Sequence, residues 1–547
     1  MKRKSLVLIL TAHEGYMRQF GTIKIHKPSA EGEENNEVQD EIIEENGFSV
    51  IEDRLFRSIA DTYVPLLNML ASLSRDKIPF KLSLVISPTL CAELSDEYVK
   101  ARYIKWLEER IELGKKELLR CSGKEKERAQ KCLAEATKSL ADFVYSYSSD
   151  ILGKLKEYEN KEYIELLATT ATYAYLPHYA DIQEAVNAQI EVGIQSHKHF
   201  FGQQPDGFWL PHLGYAANIA QTLRSYNINY TVVDSRAVLF SEKRANAGIF
   251  EPVRTTGFVS VLANDTEGSN RIEKYKEAPV YRANKKDIGY ELPIEAIAPF
   301  IAPNKPRIQT GYKYYDNDDN IYSEEKAREQ IDADVKDFVS SREEKLNKAF
   351  DLLSDLIPEN YAVIDVCTID TANIGREWSE GMSFLEKAIR SFAQNNTIAL
   401  ECAKDIVNRQ LKLQKIDLYP CAAIGTGYGE NLLDSENDWM LKYARRSVER
   451  MIDLAERFPL DTGIKERLLN LASREILLSQ SSEWPLLMSD NSFSSFAEKV
   501  FTENITAFAT VYDSLGSNSV STEWLTRVER EHPIFSWINY RIFSKKK

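Results

Sequence analysis

Clustered cysteines, long apolar runs and an excess of basic residues are all missing from this 547-residue chain. Its six cysteines form no CxxC pair and no dense framework, which excludes a disulfide scaffold and indicates reduced thiols, as in the cytoplasm. No run of 18 consecutive apolar residues occurs, so no transmembrane helix is expected. The net charge of -14 argues against a nucleic-acid or anionic-membrane partner, because clustered lysine and arginine bind such partners.

Apolar residues make up 43% of the chain, which is enough to bury a large core. The length indicates two or three domains. Its basic start is followed by a short apolar run at residues 6–13. That run is at the lower limit for a signal peptide, so it is interpreted as a first buried β-strand.

Seven short apolar runs are predicted to be β-strands. They lie at residues 6–13, 80–87, 164–173, 207–212, 229–235, 259–265 and 361–370. Their hydrophobicity is continuous rather than alternating, which is typical of parallel strands covered on both faces. Helical patterns such as 184–200 and 216–226 separate them. The alternation predicts a barrel of about seven strands, with its active site at the carboxyl ends of the strands.

Two blocks with helical periodicity divide the chain. We expect residues 1–93 to form the first part of the barrel, 94–160 a helical insertion, 161–379 the remainder of the barrel and 380–547 a C-terminal all-α domain. Residues 31–45 hold eight acidic residues and no basic one, a pattern most typical of a solvated loop.

Polar residues follow five of the predicted strands: His13, Tyr173, His212, Asp234 and Asp370. In a barrel these side chains would surround one pocket. Each alone could be a structural residue that is satisfied by local hydrogen bonds. Five at separate strand ends favour a functional site.

The chain resembles glycoside hydrolase family 57, and within it the α-glucan branching-enzyme type, from about residue 5 to 543. The matching stretches are AHEGY (12–16), ATYAYLP (171–177), GFWLPHLGY (207–215), YTVVDSRAVL (230–239), KKDIGYEL (285–292), GYKYY (311–315), IDTANIGREW (369–378), NDWMLKYARRSVERMIDLAERF (437–458), QSSEWP (480–485) and PIFSWINYRIF (533–543). The resemblance implies a (β/α)7 barrel, a helical insertion and a C-terminal helical domain. It also implies retaining chemistry on α-glucans in the cytoplasm, with no cofactor.

Retaining glycoside hydrolases need two carboxylates, one as nucleophile and one as acid and then base. The resemblance places the acid/base at Asp370. The family nucleophile is a glutamate after Trp-Leu-Pro, but here Trp209, Leu210 and Pro211 are followed by His212. Imidazole supplies neither the negative charge nor the ester-forming oxygen of that glutamate, so ordinary double displacement is not expected.

Other family motifs depart from the pattern as well. Thr11 replaces the family's first histidine, and Tyr173 with Ala174 replaces a His-Gly pair. In the motif that holds the acid/base, Ala372, Arg376 and Glu377 replace a Glu, a His and a Trp. Ile424 replaces a substrate-facing Trp. These changes affect residues that would hold a sugar ring, which predicts a degenerate active site.

The resemblance implies a set of residues that would contact carbohydrate: His13, Tyr173, Trp209, Tyr215, Asp234, Trp378 and Trp484. For Trp209, Tyr215 and Trp378, packing in the core is an equally reasonable interpretation, because aromatic side chains dominate buried area.

Three hypotheses for function follow. The first is an inactive pseudoenzyme that binds an α-glucan or another carbohydrate. The second is a metal-dependent hydrolase that uses His13, His212 and Asp370 or Asp234 as ligands, although no local spacing such as HxxxH supports it. The third is an active branching enzyme with an altered mechanism, in which Glu14 or Glu377 replaces the missing carboxylate.

Overall fold

A computed structural model of the chain describes residues 3–18, 50–300, 307–395, 397–490, 493–517 and 519–545. The acidic segment 31–45 lies outside the described residues. Within the described ranges, no helix is both long and apolar enough to cross a lipid bilayer.

The strands are β1 (Arg3–Ala12), β2 (Leu82–Ile86), β3 (Ile164–Thr169), β4 (Gly207–Trp209), β5 (Tyr230–Asp234), β6 (Val253–Arg254), β7 (Ser260–Asn264), β8 (Ala362–Asp370) and β9 (Ala399–Leu400).

The α-helices are α1 (Val50–Ser58), α2 (Val64–Arg75), α3 (Pro88–Ser95), α4 (Glu97–Arg120), α5 (Gly123–Ala141), α6 (Ile151–Asn160), α7 (Gln183–Phe201), α8 (Ala217–Ser225), α9 (Ser235–Leu239), α10 (Thr266–Tyr275), α11 (Ile288–Glu291), α12 (Ile294–Ile297), α13 (Glu324–Leu353), α14 (Gly381–Asn395), α15 (Ala403–Arg409), α16 (Asp438–Arg457), α17 (Ile464–Ser479), α18 (Glu483–Met488), α19 (Ser494–Ser517) and α20 (Thr522–Glu531).

Seven parallel strands form the barrel wall in the order β7-β5-β4-β3-β2-β1-β8. The two-residue β6 pairs antiparallel with β7, and β9 pairs with β1. Each of the seven apolar runs singled out in the sequence overlaps one of these parallel strands, so the predicted (β/α)7 barrel is confirmed.

Strand β1 shows why the runs are continuously apolar. Val7 and Ile9 face the barrel interior, whereas Leu6, Leu8 and Leu10 belong to the core between the sheet and the surrounding helices. All five side chains are at most 1% exposed. A strand with protein on both faces has no polar side, which is the signature of a parallel sheet.

The barrel closes between β7 and β8 through side chains and one backbone contact. The amide of Asp265 donates to the carbonyl of Val366 at 2.6 Å. The Asn264 side-chain oxygen accepts from the amide and hydroxyl of Thr368 at 3.2 and 3.1 Å. Arg342 of α13 donates a hydrogen bond to the side chain of Asp265 at this seam. These contacts hold β8, and with it Asp370, in place.

The two helical blocks predicted from periodicity contain helices. Residues 94–160 hold α4, α5 and α6, and residues 380–547 hold α14 to α20 together with the short strand β9. Helices α16, α17 and α19 share a core with the barrel helix α7. The C-terminal helices therefore pack against the barrel, and α18 reaches its mouth.

Candidate functional site

His13 follows β1 and lies at the carboxyl edge of the sheet. Its Nδ1 is 2.9 Å from the Ser87 hydroxyl, and its Nε2 is 3.7 Å from a carboxylate oxygen of Glu483. Its ring stacks on Tyr173 with centroids 4.0 Å apart and planes 13° from parallel. One face and Nδ1 of the imidazole are therefore occupied by protein groups, whereas Nε2 is buried with no hydrogen-bond partner among the described residues.

His212 lies just beyond β4 in a short turn, and its backbone has φ 55° and ψ 21°. Leu213 is also left-handed, at φ 52°. Left-handed backbone is uncommon for residues other than glycine, and it clusters at functional sites. The turn directs the imidazole to Ser482, whose hydroxyl is 2.8 Å from Nε2.

The Ser482 hydroxyl also decides the tautomer of His212. It donates to the backbone carbonyl of Tyr173 at 2.6 Å, and a carbonyl can only accept. Since a hydroxyl has one proton, Ser482 must accept from His212, so Nε2 carries the hydrogen and Nδ1 has the lone pair.

Tyr173 lies between the two histidines. It stacks on His13, and its ring meets that of His212 edge-on at 5.5 Å between centroids. The indole Nε1 of Trp209 donates to its hydroxyl at 3.1 Å. Tyr173 is also left-handed, at φ 55°. Its phenol ring therefore fills the space between the tips of β1 and β4.

Asp370 ends β8, opposite Thr11 of β1. One carboxylate oxygen accepts from the amide of Ala372 at 2.9 Å, and the side chain is reached by water. Surrounding protein atoms nevertheless lie close to the carboxylate. This desolvation raises the pKa of Asp370 to about 6, and the charges of Glu377 and Glu14 act in the same direction.

A buried ion network lies close enough to Asp370 for its charges to act on that carboxylate. Glu14 accepts from Arg376 at 2.6 Å, from the Ser58 hydroxyl at 2.6 Å and from Arg54 at 3.2 Å. Arg54 also pairs with Glu483 at 2.7 Å. Burial would raise the pKa of Glu14, but the two arginines outweigh it and hold the pKa below its usual value. Glu14 is therefore an ionised, fully paired carboxylate.

Both mouth histidines are expected to stay neutral over the physiological range. Burial lowers the pKa of His13 to about 3, and it lowers that of His212 to about 3 with help from the positive charges of His13 and His178. By contrast, Glu475 raises the pKa of His532 against the effect of burial. In an NMR titration from pH 8 to 5, we expect His532 to gain its proton first and His13 and His212 to show no titration.

The same shifts have a defined effect on stability. Unfolded histidines bind a proton near pH 6.5, whereas folded His13 and His212 do so only near pH 3. The unfolded state therefore binds more protons between these values, and the contribution of both residues to stability falls as the pH drops from 6.5 to 3. A midpoint near pH 6 for either imidazole in the folded protein would contradict this account.

Two tryptophans predicted to contact carbohydrate lie in the core instead. Trp378 is 2% exposed and packs against Tyr281 and Phe384, with ring centroids 5.2 and 5.3 Å away. Trp484 is fully buried, and its Nε1 donates to the carbonyl of Leu478 at 2.8 Å. Neither ring is exposed at the barrel mouth, and for Trp378 this supports the packing interpretation.

Asp234 and Tyr215 also have local partners. Asp234 is fully buried and accepts from the amide and Nε of Arg236 at 3.0 and 2.7 Å. Arg236 in turn donates to the carbonyl of Ala422 at 2.8 Å, so the pair anchors the neighbouring loop. Tyr215 is 4% exposed, and its amide donates to Cys421 at 2.9 Å. Of the seven predicted carbohydrate contacts, only His13, Tyr173 and Trp209 meet at the mouth.

The geometry of the described residues gives the metal-site hypothesis no support. Among the described residues, no three His, Cys, Asp or Glu side chains are arranged to hold a metal ion. One nitrogen of His13 and one of His212 are already bonded to serines, and Tyr173 separates the two rings.

Three charged or polar residues at the mouth were missed by sequence reasoning: Ser482, Glu483 and Arg54. The signal for two of them was present, because Ser482 and Glu483 directly precede Trp484 in the QSSEWP stretch. Neighbouring residues at a helix start point in different directions, so the tryptophan entered the core while Glu483 faced the mouth. Arg54 carried no sequence signal.

Comparisons with known proteins agree with this architecture. The model of glycosyl hydrolase family 57 matches residues 12–301, and that of the 1,4-alpha-glucan branching enzyme C-terminal domain matches residues 443–543. A 1,4-alpha-glucan branching enzyme of Thermococcus kodakarensis is 22% identical over 494 residues, which cover 82% of this chain and 68% of that protein.

Two solved structures share the fold over the whole chain. The alpha-amylase AmyC from Thermotoga maritima is 27% identical, with a TM-score of 0.86 and full coverage of both chains. A family 57 branching enzyme from Thermococcus kodakaraensis, solved in complex with glucose and additives, is 20% identical, with a TM-score of 0.81 and coverage of 100% and 97%. Because the family model spans more than half of its residues, this chain belongs to glycosyl hydrolase family 57.

Proposed function

We propose that this protein is a pseudoenzyme: it keeps the family 57 scaffold, has lost the family's double displacement, and binds an α-glucan or another carbohydrate. The observation that carries the proposal is the side chain at the tip of β4. The resemblance to the family places a glutamate nucleophile there, and this chain has the neutral, serine-bonded imidazole of His212.

Retaining chemistry sets two requirements that this imidazole does not meet. The nucleophile must form an ester-like glycosyl-enzyme, and its negative charge must stabilise an oxocarbenium-like transition state. Its carboxyl group must also lie about 5–5.5 Å from that of the acid/base. Neutral imidazole has no such charge, and a protonated ring would repel the developing positive centre. Asp370 could still act as an acid, since its pKa is raised to about 6, but it would have no partner.

The alternative of an altered mechanism requires another carboxylate to act as nucleophile. Glu14 is held by two arginines and Glu483 by one, so attack by either would leave a buried guanidinium without its counter-charge. Glu377 pairs with Lys276 at 3.1 Å on the surface. These contacts disfavour substitution by any of the three.

Carbohydrate binding is proposed because the scaffold persists and Asp370 is exposed at the carboxyl edge of the sheet. Asp370 remains accessible to water and can accept hydrogen bonds from sugar hydroxyls. The family relative solved with glucose supports a sugar as the class of ligand. Tyr173 occupies the centre of the mouth, so we expect the sugar to lie toward Asp370 rather than between His13 and His212.

Incubation with amylose should leave both the iodine complex and the number of reducing ends unchanged. We expect turnover at least about 10⁴-fold below that of a family enzyme with its glutamate, because removing a covalent nucleophile typically costs that much or more. Iodine absorbance and a reducing-end assay over several hours give the measurement.

Two further measurements test the two parts of the proposal separately, carbohydrate binding and the loss of catalysis. Retarded migration in a native gel that contains amylose or glycogen would support binding, with bovine albumin as the unretarded control. Branched products, or a sugar ester found by mass spectrometry after acid quench, would show that the unmodified chain is an active enzyme.

The compartment stays a prediction. All six cysteines are free and buried, which supports a reducing environment such as the cytoplasm.

A further inference from the structure

A cavity lined by none of the mouth residues lies between α2, the insertion helices α4 and α5, and the segment 310–313. Its volume is about 280 Å³. The charged side chains that line it are Asp61, Arg110, Glu135, Lys138, Asp142, Arg282 and Lys313. A lined space of this size, separate from the proposed carbohydrate site, is large enough for a small organic molecule.

Lys313 differs from every other charged residue in this lining. The other six each have an oppositely charged partner, in the pairs Asp61–Arg57, Arg110–Asp53, Glu135–Arg282 and Lys138–Asp142. Lys313 is 3% exposed and has no carboxylate within ion-pair distance in the described part of the chain. Its Nζ contacts two neutral oxygens instead, Asn284 Oδ1 at 2.6 Å and Ser379 Oγ at 3.4 Å.

These two contacts match a neutral amine. The Asn284 amide is oriented by its own nitrogen, which donates to the carbonyl of Glu377 at 2.7 Å, so its oxygen faces Lys313. A neutral amine has two N–H donors, which the two oxygens accept, and one lone pair. An ammonium would have a third donor without a partner, which is costly in a buried site.

The electrostatic surroundings favour the neutral form more than in an ordinary lysine. Burial lowers the pKa of Lys313, and the guanidinium groups of Arg57 and Arg282 act in the same direction, whereas Asp61 and Asp287 oppose them. Desolvation and neighbouring cations are the two means by which proteins make lysine nucleophilic.

We propose that Lys313 is a nucleophilic lysine that forms an imine with a small aldehyde or ketone admitted to this cavity. The Nζ lone pair attacks the carbonyl carbon while the C–O π bond breaks, and a proton moves from nitrogen to oxygen to give a carbinolamine. Loss of one water then leaves the C=N bond, so the step needs no oxidant or reductant.

Arg110 offers support for the oxygen during this step. It lines the same cavity and is 2% exposed. Its Nε and Nη1 have no hydrogen-bond partner among the described residues. A carbonyl or carbinolamine oxygen in the cavity would satisfy these donors, and unsatisfied buried donors are otherwise rare in native proteins.

Reductive trapping tests the proposal on the whole protein. The chain is incubated with acetaldehyde and sodium cyanoborohydride at pH 7, and the ethylation of each lysine is followed by peptide mass spectrometry. We expect Lys313 to react at least about tenfold faster than the exposed Lys124, because only about 1 in 2,500 ordinary lysines is neutral at this pH.

Asn284→Asp is the matched variant, since it places a carboxylate at the position of the amide oxygen and should hold Lys313 protonated. We expect ethylation of Lys313 to fall at least about tenfold while that of Lys124 is unchanged. Labelling of Lys313 at or below the rate of Lys124 in the natural chain, or equal labelling in the variant, would overturn the proposal.

Discussion

Replacing Arg342 with leucine lowers the free energy of unfolding by about 3–5 kcal/mol. Arg342 is fully buried at the seam between β7 and β8, where it bonds Asp265 and Glu267 and lies 3.1 Å from Asp365. Leucine would leave two buried aspartates without this guanidinium. Lys345 still pairs with Asp265, but Asp365 would have no ion-pair partner left among the residues that the structure describes.

Urea unfolding followed by tryptophan fluorescence measures this effect. Arg271→Leu is the matched control, because Arg271 pairs with Glu267 and Asp337 at 2.8 Å but is about one-third exposed. Exposed pairs typically contribute about 0–1 kcal/mol. Equal losses in the two variants would mean that the seam does not depend on the buried arginine.

Restoring a glutamate at the nucleophile position, His212→Glu, changes amylose turnover by less than about tenfold. Catalytic groups act as a unit, so the return of one member recovers little when the others are absent. Tyr173 still fills the space between the tips of β1 and β4, and Ala372 stands where the family has a glutamate.

His212→Gln is the control for this variant, because it removes the imidazole without adding a charge. Equal, undetectable turnover in both variants is expected in reducing-end assays. A gain of about 10³-fold or more in His212→Glu alone would show that the pocket had kept its catalytic geometry and that the histidine was the single defect. Adding Tyr173→His and Ala174→Gly then tests whether the tyrosine ring is the next obstacle.

The seven strands could be predicted because burial on both faces produces a continuous apolar run in the local sequence. A strand such as β1 is covered on both sides, so every residue from Ser5 to Ala12 is buried and the apolar run is unbroken except for two small polar residues. The polar residues that end these runs were likewise predictable. His13, Tyr173 and His212 do meet, because parallel strands place their carboxyl ends at one edge.

The direction of individual side chains beyond the strands could not be predicted. Trp378 and Trp484 are in stretches that match the family, yet both rings pack in the core. Glu483 comes from a helix more than 400 residues after His13, and Arg54 from another helix. Only the packing of α18 and α1 against the barrel brings these charges together, and no local pattern records that packing.

The sequence by itself determined the barrel, its strand ends and the identity of the residue at the tip of β4, because hydrophobic burial and chemical type are properties of short segments. The tertiary structure alone decided the protonation state and partners of that residue. A pKa depends on burial and on charges that arrive from distant segments, and for His212 these are burial first and then the charges of His13 and His178.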